Sequence, residues 1–183
     1  MSTEEAIAQL ATVFRQYGYE GATLARLSKA TGLAKASLYH HFPKGKEEMA
    51  AAVLNHMKHW FEEHILKPLR DGGTPADRIR TMSKNVDELY NRGQESCLLA
   101  VLTLGESKDL FHTQIRFALN IWIDTLAEVL IDAGLDSQRA QQRAEDAILQ
   151  IQGALVLARA LDDTAPFERV IKRLPEELLG SVS

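Results

Sequence analysis

The sequence predicts an all-α fold, in which a small N-terminal three-helix unit carrying a helix-turn-helix precedes a larger C-terminal helical domain. Three observations predict it. Apolar residues recur at helical spacing along most of the 183-residue chain. No segment alternates with the period of a strand. Glycines, prolines and capping side chains divide the chain into two short helices near the N-terminus and longer ones after them.

The first helix follows from Ile7, Leu10, Ala11 and Phe14, and Gly18 and Gly21 end its pattern. Thr23 is placed to cap a short helix through Ala30, because its hydroxyl can accept the unpaired amide hydrogens of the next turn. Gly32 stops that helix, and another runs from about Lys35 to His41 before Pro43 and Gly45. Two short helices joined by a glycine-bearing turn make a helix-turn-helix. From Lys46 a long helix presents Met49, Val53, Met57, Trp60, Phe61 and His64 along one face and fades at Pro68 and Asp71-Gly72-Gly73. Thr74 as cap, Pro75 at the first helical position and Asp77 in the first turn begin the next helix, expected to reach about Arg92.

Cys97 to Ser107 predicts a short helix apolar nearly all round, hence central. Asp109 to Ala133 predicts a long helix closed by Gly134. Asp136 or Ser137 then starts a helix to Leu161, whose later turns carry Ile148, Ile151, Leu155 and Ala158 on one stripe with Gly153 permitting close contact. Thr164 begins a last helix with Phe167, Val170, Ile171, Leu174 and Leu178 inward, and Pro175 is expected to kink it or start a new turn.

Composition bounds the function. With 45% apolar and 25% charged residues the chain is that of an ordinary globular protein. Its longest apolar stretches, Cys97 to Leu102 and Ala154 to Ala158, fall far short of the roughly 20 residues that a membrane span needs, so no membrane partner is expected. Ser2, Thr3, Glu4 and Glu5 do not resemble a secretory signal, and the single cysteine excludes an intramolecular disulfide. The expected location is cytoplasmic. The net charge of −4 is unevenly spread: Arg15, Arg26, Lys29, Lys35, Lys44 and Lys46 face one acid, Glu20, giving +5 in that segment and −9 elsewhere. Such polarity suits a phosphate-facing end.

The run from Gly21 to Phe42, GATLARLSKATGLAKASLYHHF, followed by KEEM from Lys46, resembles the DNA-binding domain of the TetR family of repressors. The ending from Ala158 to Pro175, ARALDDTAPFERVIKRLP, together with His40 to Lys46, is similar to the LmrA/YxaF-type branch. The resemblance implies a DNA-binding domain over residues 1–46 and a ligand-binding and dimerisation domain over 47–183. It also implies a dimer that reads a palindromic operator and responds to a small-molecule effector whose identity the sequence does not give.

Physical reasoning gives the recognition helix its role independently. Ala34, Ala36 and Ser37 keep one side narrow enough for a major groove. Lys35 can reach a guanine edge or a phosphate, Ser37 a base edge or phosphate, and Tyr39 a phosphate or a thymine methyl, while Leu38 and Phe42 point inward. By resemblance Thr23, Tyr39, His41 and Lys46 anchor the DNA backbone, and the full expected DNA-contacting set is Thr23, Lys35, Ala36, Ser37, Tyr39, His40, His41 and Lys46. Lys44 and Lys46 compete for one phosphate, with Lys46 favoured. Ala34 stands where the family commonly has Ser or Thr, so the helix lacks a side-chain cap typically worth about 1 kcal/mol.

Elsewhere the residues leave alternatives. Trp60, Met82, Phe111, Phe117 and Trp122 either line a ligand chamber or fill the core. Cys97, included in the expected pocket set, reads as a buried inert thiol rather than a redox sensor. Ile148, Ile151, Leu155 and Ala158 with Phe167, Val170, Ile171 and Leu174 form either intrachain core or, as favoured here, a two-fold four-helix interface. His56 with His59 and Asp109 with His112 share helical faces but complete no ligand set, so neither metal nor cofactor is expected. No acid, base or nucleophile constellation points to an enzyme. The other readings are a helical protein-interaction module, which leaves the basic segment unexplained, and an activator without a small-molecule effector. The expected switch is displacement of the helix from Lys46 by the effector, which alters the separation of the two recognition helices.

Overall fold

The computed structural model describes residues 2–180, and among them every regular element is helical. In chain order they are α1 (Thr3–Gly21), α2 (Leu24–Thr31), α3 (Lys35–His41), α4 (Lys46–Phe61), a π-helical segment (Glu62–Leu66), α5 (Lys67–Asp71), α6 (Pro75–Leu89), a 3₁₀ turn (Asn91–Gly93), α7 (Leu98–Val101), α8 (Glu106–Asp132), α9 (Ser137–Leu161) and α10 (Ala165–Leu179). No helix among the described residues is long and apolar enough to cross a membrane.

The chain forms two compact units, one comprising the described residues up to His59 together with Cys97–Ile115, the other Trp60–Ser96 and the described residues from Arg116 onward. In the first unit Leu10, Phe14, Leu27, Leu38, Met49, Val53, Leu98 and Leu102 are buried. α1 opens with a capping box: the Ser2 hydroxyl accepts the Glu5 N–H and the Glu5 carboxylate accepts the Ser2 N–H at 2.7 Å. Gly18 breaks the helix with φ 68° and ψ −177°, after which a final turn reaches Gly21.

In the second unit α10 packs on α9 and α6. Phe167 is fully buried, meets Tyr90 edge-on at 6.0 Å and lies against Gly93, whose φ of 89° and lack of a Cβ admit it. The cap of α6 is a reciprocal box in which Thr74 Oγ1 accepts the Asp77 N–H and Asp77 Oδ2 accepts both the Thr74 N–H and hydroxyl. The Thr74 hydroxyl first, then its backbone N–H, hold the Asp77 carboxyl below the usual carboxylate range.

Several element boundaries differ from those read off the sequence; the helix from Thr74, expected to reach about Arg92, ends at Leu89. The helix from Lys46 passes through Pro68, by way of the π-helical segment and α5, and ends at Asp71, at the Asp71-Gly72-Gly73 loop expected to end it. Because proline has no N–H, the His64 carbonyl lacks its α-helical donor; Asn85 of α6 donates its side-chain N–H to that carbonyl at 2.6 Å. The expected helix from Cys97 to Ser107 is only one turn, α7, and ends at Val101; a turn with Leu104 67% exposed and Gly105 at a φ of 59° separates it from the next helix. Consequently α8 begins at Glu106. α10 passes through Pro175 without ending.

Candidate nucleic-acid interface

The helix-turn-helix is built from local chemistry. Thr23 caps α2 by accepting the Arg26 N–H at 3.3 Å. Gly32, at φ 66° and ψ 4°, closes the helix in the left-handed conformation that glycine tolerates best. The Ser28 hydroxyl donates to the Leu33 carbonyl at 2.6 Å, tying α2 to the turn, and Leu27 and Leu38 are buried beneath the two helices. Ala34 precedes α3 with no side-chain hydrogen bond, as the sequence requires.

α3 then divides cleanly. Leu38 is buried, Ser37 is half-buried, and Lys35, Ala36, Tyr39, His40 and His41 are exposed. The imidazoles of His40 and His41 meet edge-on at 5.8 Å. Tyr39 is 46% exposed and its ring rests on Gly45, where a Cβ would come within 3.3 Å of Cε1. Gly45 adopts a φ of 70°, its N–H donates to the Phe42 carbonyl at 2.8 Å, and its own carbonyl accepts the Met49 N–H. The turn that starts α4 therefore also supports the Tyr39 ring.

Lys46 opens α4 as expected, but its ammonium lies over the Tyr19 ring, 4.2 Å from the centroid, and the side chain is half-buried. Lys44 is exposed, with its backbone N–H donating to Glu48 at 2.8 Å. Burial first, then the carboxylates of Glu47, Glu106 and Glu20, hold the Tyr19 phenol above its ordinary pKa. It stays protonated at neutral pH.

Sequence reasoning passed over one group here. Arg26 packs its guanidinium 4.1 Å from the centroid of the Tyr17 ring and donates to the Gly21 carbonyl at 2.7 Å, placing a braced cation beside Thr23. The available signal was the arginine three residues after a capping threonine, with an exposed aromatic in the preceding helix.

The residues expected to line a pocket are not gathered into one place. Met82 and Trp122 are buried together, the indole N–H pointing at the Met82 sulfur at 3.5 Å, and Phe61 meets Trp122 edge-on at 5.1 Å. Half-buried Trp60 stacks on His64 at 4.4 Å. Cys97 and Phe111 are buried in the first compact unit, and Phe117 is 57% exposed. An open groove between α6 and α10, lined by Arg80, Lys172, Pro175, Glu176, Leu179 and Gly180, contains none of the six. Among the described residues no three His, Cys, Asp or Glu side chains group as a metal site.

The expected interface residues are placed differently as well. Ile148, Ile151, Leu155, Ala158, Phe167, Ile171 and Leu174 are buried within the chain and Val170 is half-buried, because α9 and α10 pack on each other through this stripe. The exposed apolar residues of α9 are instead Leu149, Val156, Leu157 and Leu161.

Comparison with known families agrees with this geometry. Residues 6–53 match the model of bacterial regulatory proteins of the tetR family, and residues 75–173 match the C-terminal domain of LmrA/YxaF-like transcriptional regulators. The chain belongs to the TetR family. TetR-family proteins are DNA-binding transcriptional regulators rather than enzymes, and they generally act as dimers. The chain is 25% identical over 181 residues to the HTH-type transcriptional regulator LmrA of Bacillus subtilis (strain 168), covering 97% of this chain and 96% of LmrA. YxaF of the same organism, an HTH-type transcriptional regulator, is 23% identical over 178 residues, covering 95% and 93%. Among solved structures, a TetR transcriptional regulator from Legionella pneumophila superposes with a TM-score of 0.81 at 22% identity, covering 96% of this chain and 97% of that one.

Proposed function

We propose that this TetR-family chain is a cytoplasmic homodimeric repressor that binds a palindromic operator and releases it when a small-molecule effector binds the helical body. In this reading residues 1–46 bind DNA and residues 47–183 bind effector and pair the subunits. The observation that carries it is the exposed face of α3, where Lys35, Ala36, Tyr39 and His40 project from a helix backed by buried Leu38. A short helix with small and basic side chains outward fits a major groove. Thr23 and Arg26 at the start of α2, His41 at the end of α3 and Lys44 just after it are all exposed, so phosphate contacts from them can fix the register of α3. With the Lys46 ammonium held on Tyr19, Lys44 is the freer cation of the pair.

Pairing is supported by the second apolar stripe of α9, since a single module has too few contacts for tight binding while two linked modules gain effective concentration. Two recognition helices must lie about 34 Å apart to enter successive major grooves, so an effector that changes their separation abolishes the fit. Phe61 and Met82, which both pack on Trp122, are the candidates for a chamber wall.

Selection of bound duplexes from random DNA tests the reading and should recover an inverted repeat. Tyr39→Ala should then weaken binding to that repeat by tenfold or more, corresponding to about 1–3 kcal/mol, with the sedimentation behaviour of the protein unchanged. Failure of the wild-type protein to enrich any sequence at low ionic strength would overturn the proposal.

A further inference from the structure

Glu20 is the one acid among the basic residues between Arg15 and Lys46, and a carboxylate in a phosphate-facing segment repels its partner. The structure gives it a different task. The break at Gly18 turns Tyr19 and Glu20 off the path of α1. Tyr19 is buried, stacks on Phe14 at 6.2 Å, meets Phe111 of α8 edge-on at 6.1 Å and carries the Lys46 ammonium of α4 on its face. Glu20 Oε1 accepts the N–H of Glu106, the first residue of α8, at 2.7 Å. Gly105 lies against the same carboxylate, so that a Cβ there would overlap it. An amide in the first turn of a helix has no partner within the helix, and Glu20 supplies the acceptor.

We propose that Glu20 is a positioning residue for DNA recognition: by capping α8 it ties the first turns of α4 and α8 to one dipeptide and so fixes the seat from which α3 is presented. The proposal rests on the DNA-binding reading above. Only residues 42–45 join α3 to α4, so the placement of Lys46 on Tyr19 sets the end of the recognition helix. Movement of the first turn of α8 must break the bond from Glu106 or pull the end of α1 with it. The first turns of α8 belong to the same compact unit as α1 and α4, so a displacement of those turns acts on this cap. By linkage, bound DNA and an intact cap favour each other.

Charge and geometry separate in two substitutions. Glu20→Gln and Glu20→Ala remove the same negative charge, but only the glutamine keeps an oxygen for the Glu106 N–H. Binding of each to the duplex recovered from random DNA, and to an unrelated duplex, should show Glu20→Ala about tenfold weaker on the specific site only, with Glu20→Gln within about twofold of wild type. Equal affinities for the two variants, with the wild type binding normally, would overturn this proposal alone; absence of wild-type binding would overturn the DNA-binding reading and this proposal with it. Hydrogen exchange of the Glu106 amide in the wild-type protein keeps the test open if Glu20→Ala does not fold. Its protection should rise when the duplex binds, and unchanged protection would equally overturn the proposal.

Discussion

Tyr39 owes its direction to the absence of a side chain at residue 45. The tyrosine is half-exposed on a helix of seven residues. Gly45 supplies the surface: the ring rests on its backbone, and its φ of 70° brings the chain round to start α4. Gly45→Ala therefore carries two penalties. Left-handed backbone for a residue with a Cβ costs about 1–2 kcal/mol, and the new methyl group presses on the Tyr39 ring. Urea denaturation should show that loss of stability. Duplex affinity, measured where the variant is fully folded, should fall as well, because the ring is displaced from its seat. A variant that loses stability but binds DNA with wild-type affinity would show that the direction of Tyr39 is set elsewhere. The same glycine shows what a sequence can convey about the site. Its role as a helix breaker was legible from the Pro43-Lys44-Gly45 run, but its role as a support was not, since the contact depends on how α3 and α4 are folded back on each other. Lys46 teaches the same lesson: its position at the head of α4 was legible, whereas its engagement with Tyr19 depends on the break at Gly18, which brings the aromatic ring to it.

Pro68 marks the limit of reading helices one residue at a time. Capping signals act within one turn, so Thr23 and Thr74 were legible as caps and each accepts an amide of the first turn, while of the two candidates Asp136 and Ser137 it is Asp136 that caps α9. A proline is ordinarily a stop signal for the same local reason, but here the lost donor is replaced by Asn85, which lies 21 residues away in sequence. The π-helical turn just before it, where the Lys67 N–H reaches back to the Glu62 carbonyl, lets the chain continue into α5. If Asn85 substitutes for the missing N–H, its value depends on Pro68. Asn85→Ala should destabilise the protein by about 1 kcal/mol, the usual net worth of a hydrogen bond. In a Pro68→Ala background, where residue 68 can donate to His64 itself, the same substitution should have little effect. Additive losses in this double-mutant cycle, measured by urea denaturation, would show that the Asn85 contact and the proline are unrelated.

α9 carries two apolar stripes, and which of them faces out decides how subunits can pair. Helical periodicity alone marks both, and the sequence reading assigned the one with the larger branched residues to the interface. Burial within the chain claims that stripe first: Ile151 is fully buried, and Phe167 and Leu174 of α10 complete the same core. The remaining stripe leaves Leu149, Val156 and Leu157 68%, 53% and 50% exposed, and open space lies above Gly153 between them. A glycine there allows a second helix to approach closely, and an isologous contact brings each of these residues into play twice. Fully burying a Leu or Val side chain contributes about 1.5–3 kcal/mol, so a pair of half-exposed stripes is worth enough to offset part of the cost of association. Val156→Asp combined with Leu157→Asp should halve the sedimentation mass from twice 20.4 kDa to 20.4 kDa. The helical circular dichroism should remain that of the wild type, since neither side chain lies in the core. Duplex affinity should fall at the same time, because one subunit carries a single recognition helix. Ile151→Asp, by contrast, places a charge in the interior and should unfold the chain. A folded Val156/Leu157 variant that still sedimented as a dimer would locate the subunit contact away from this face of α9.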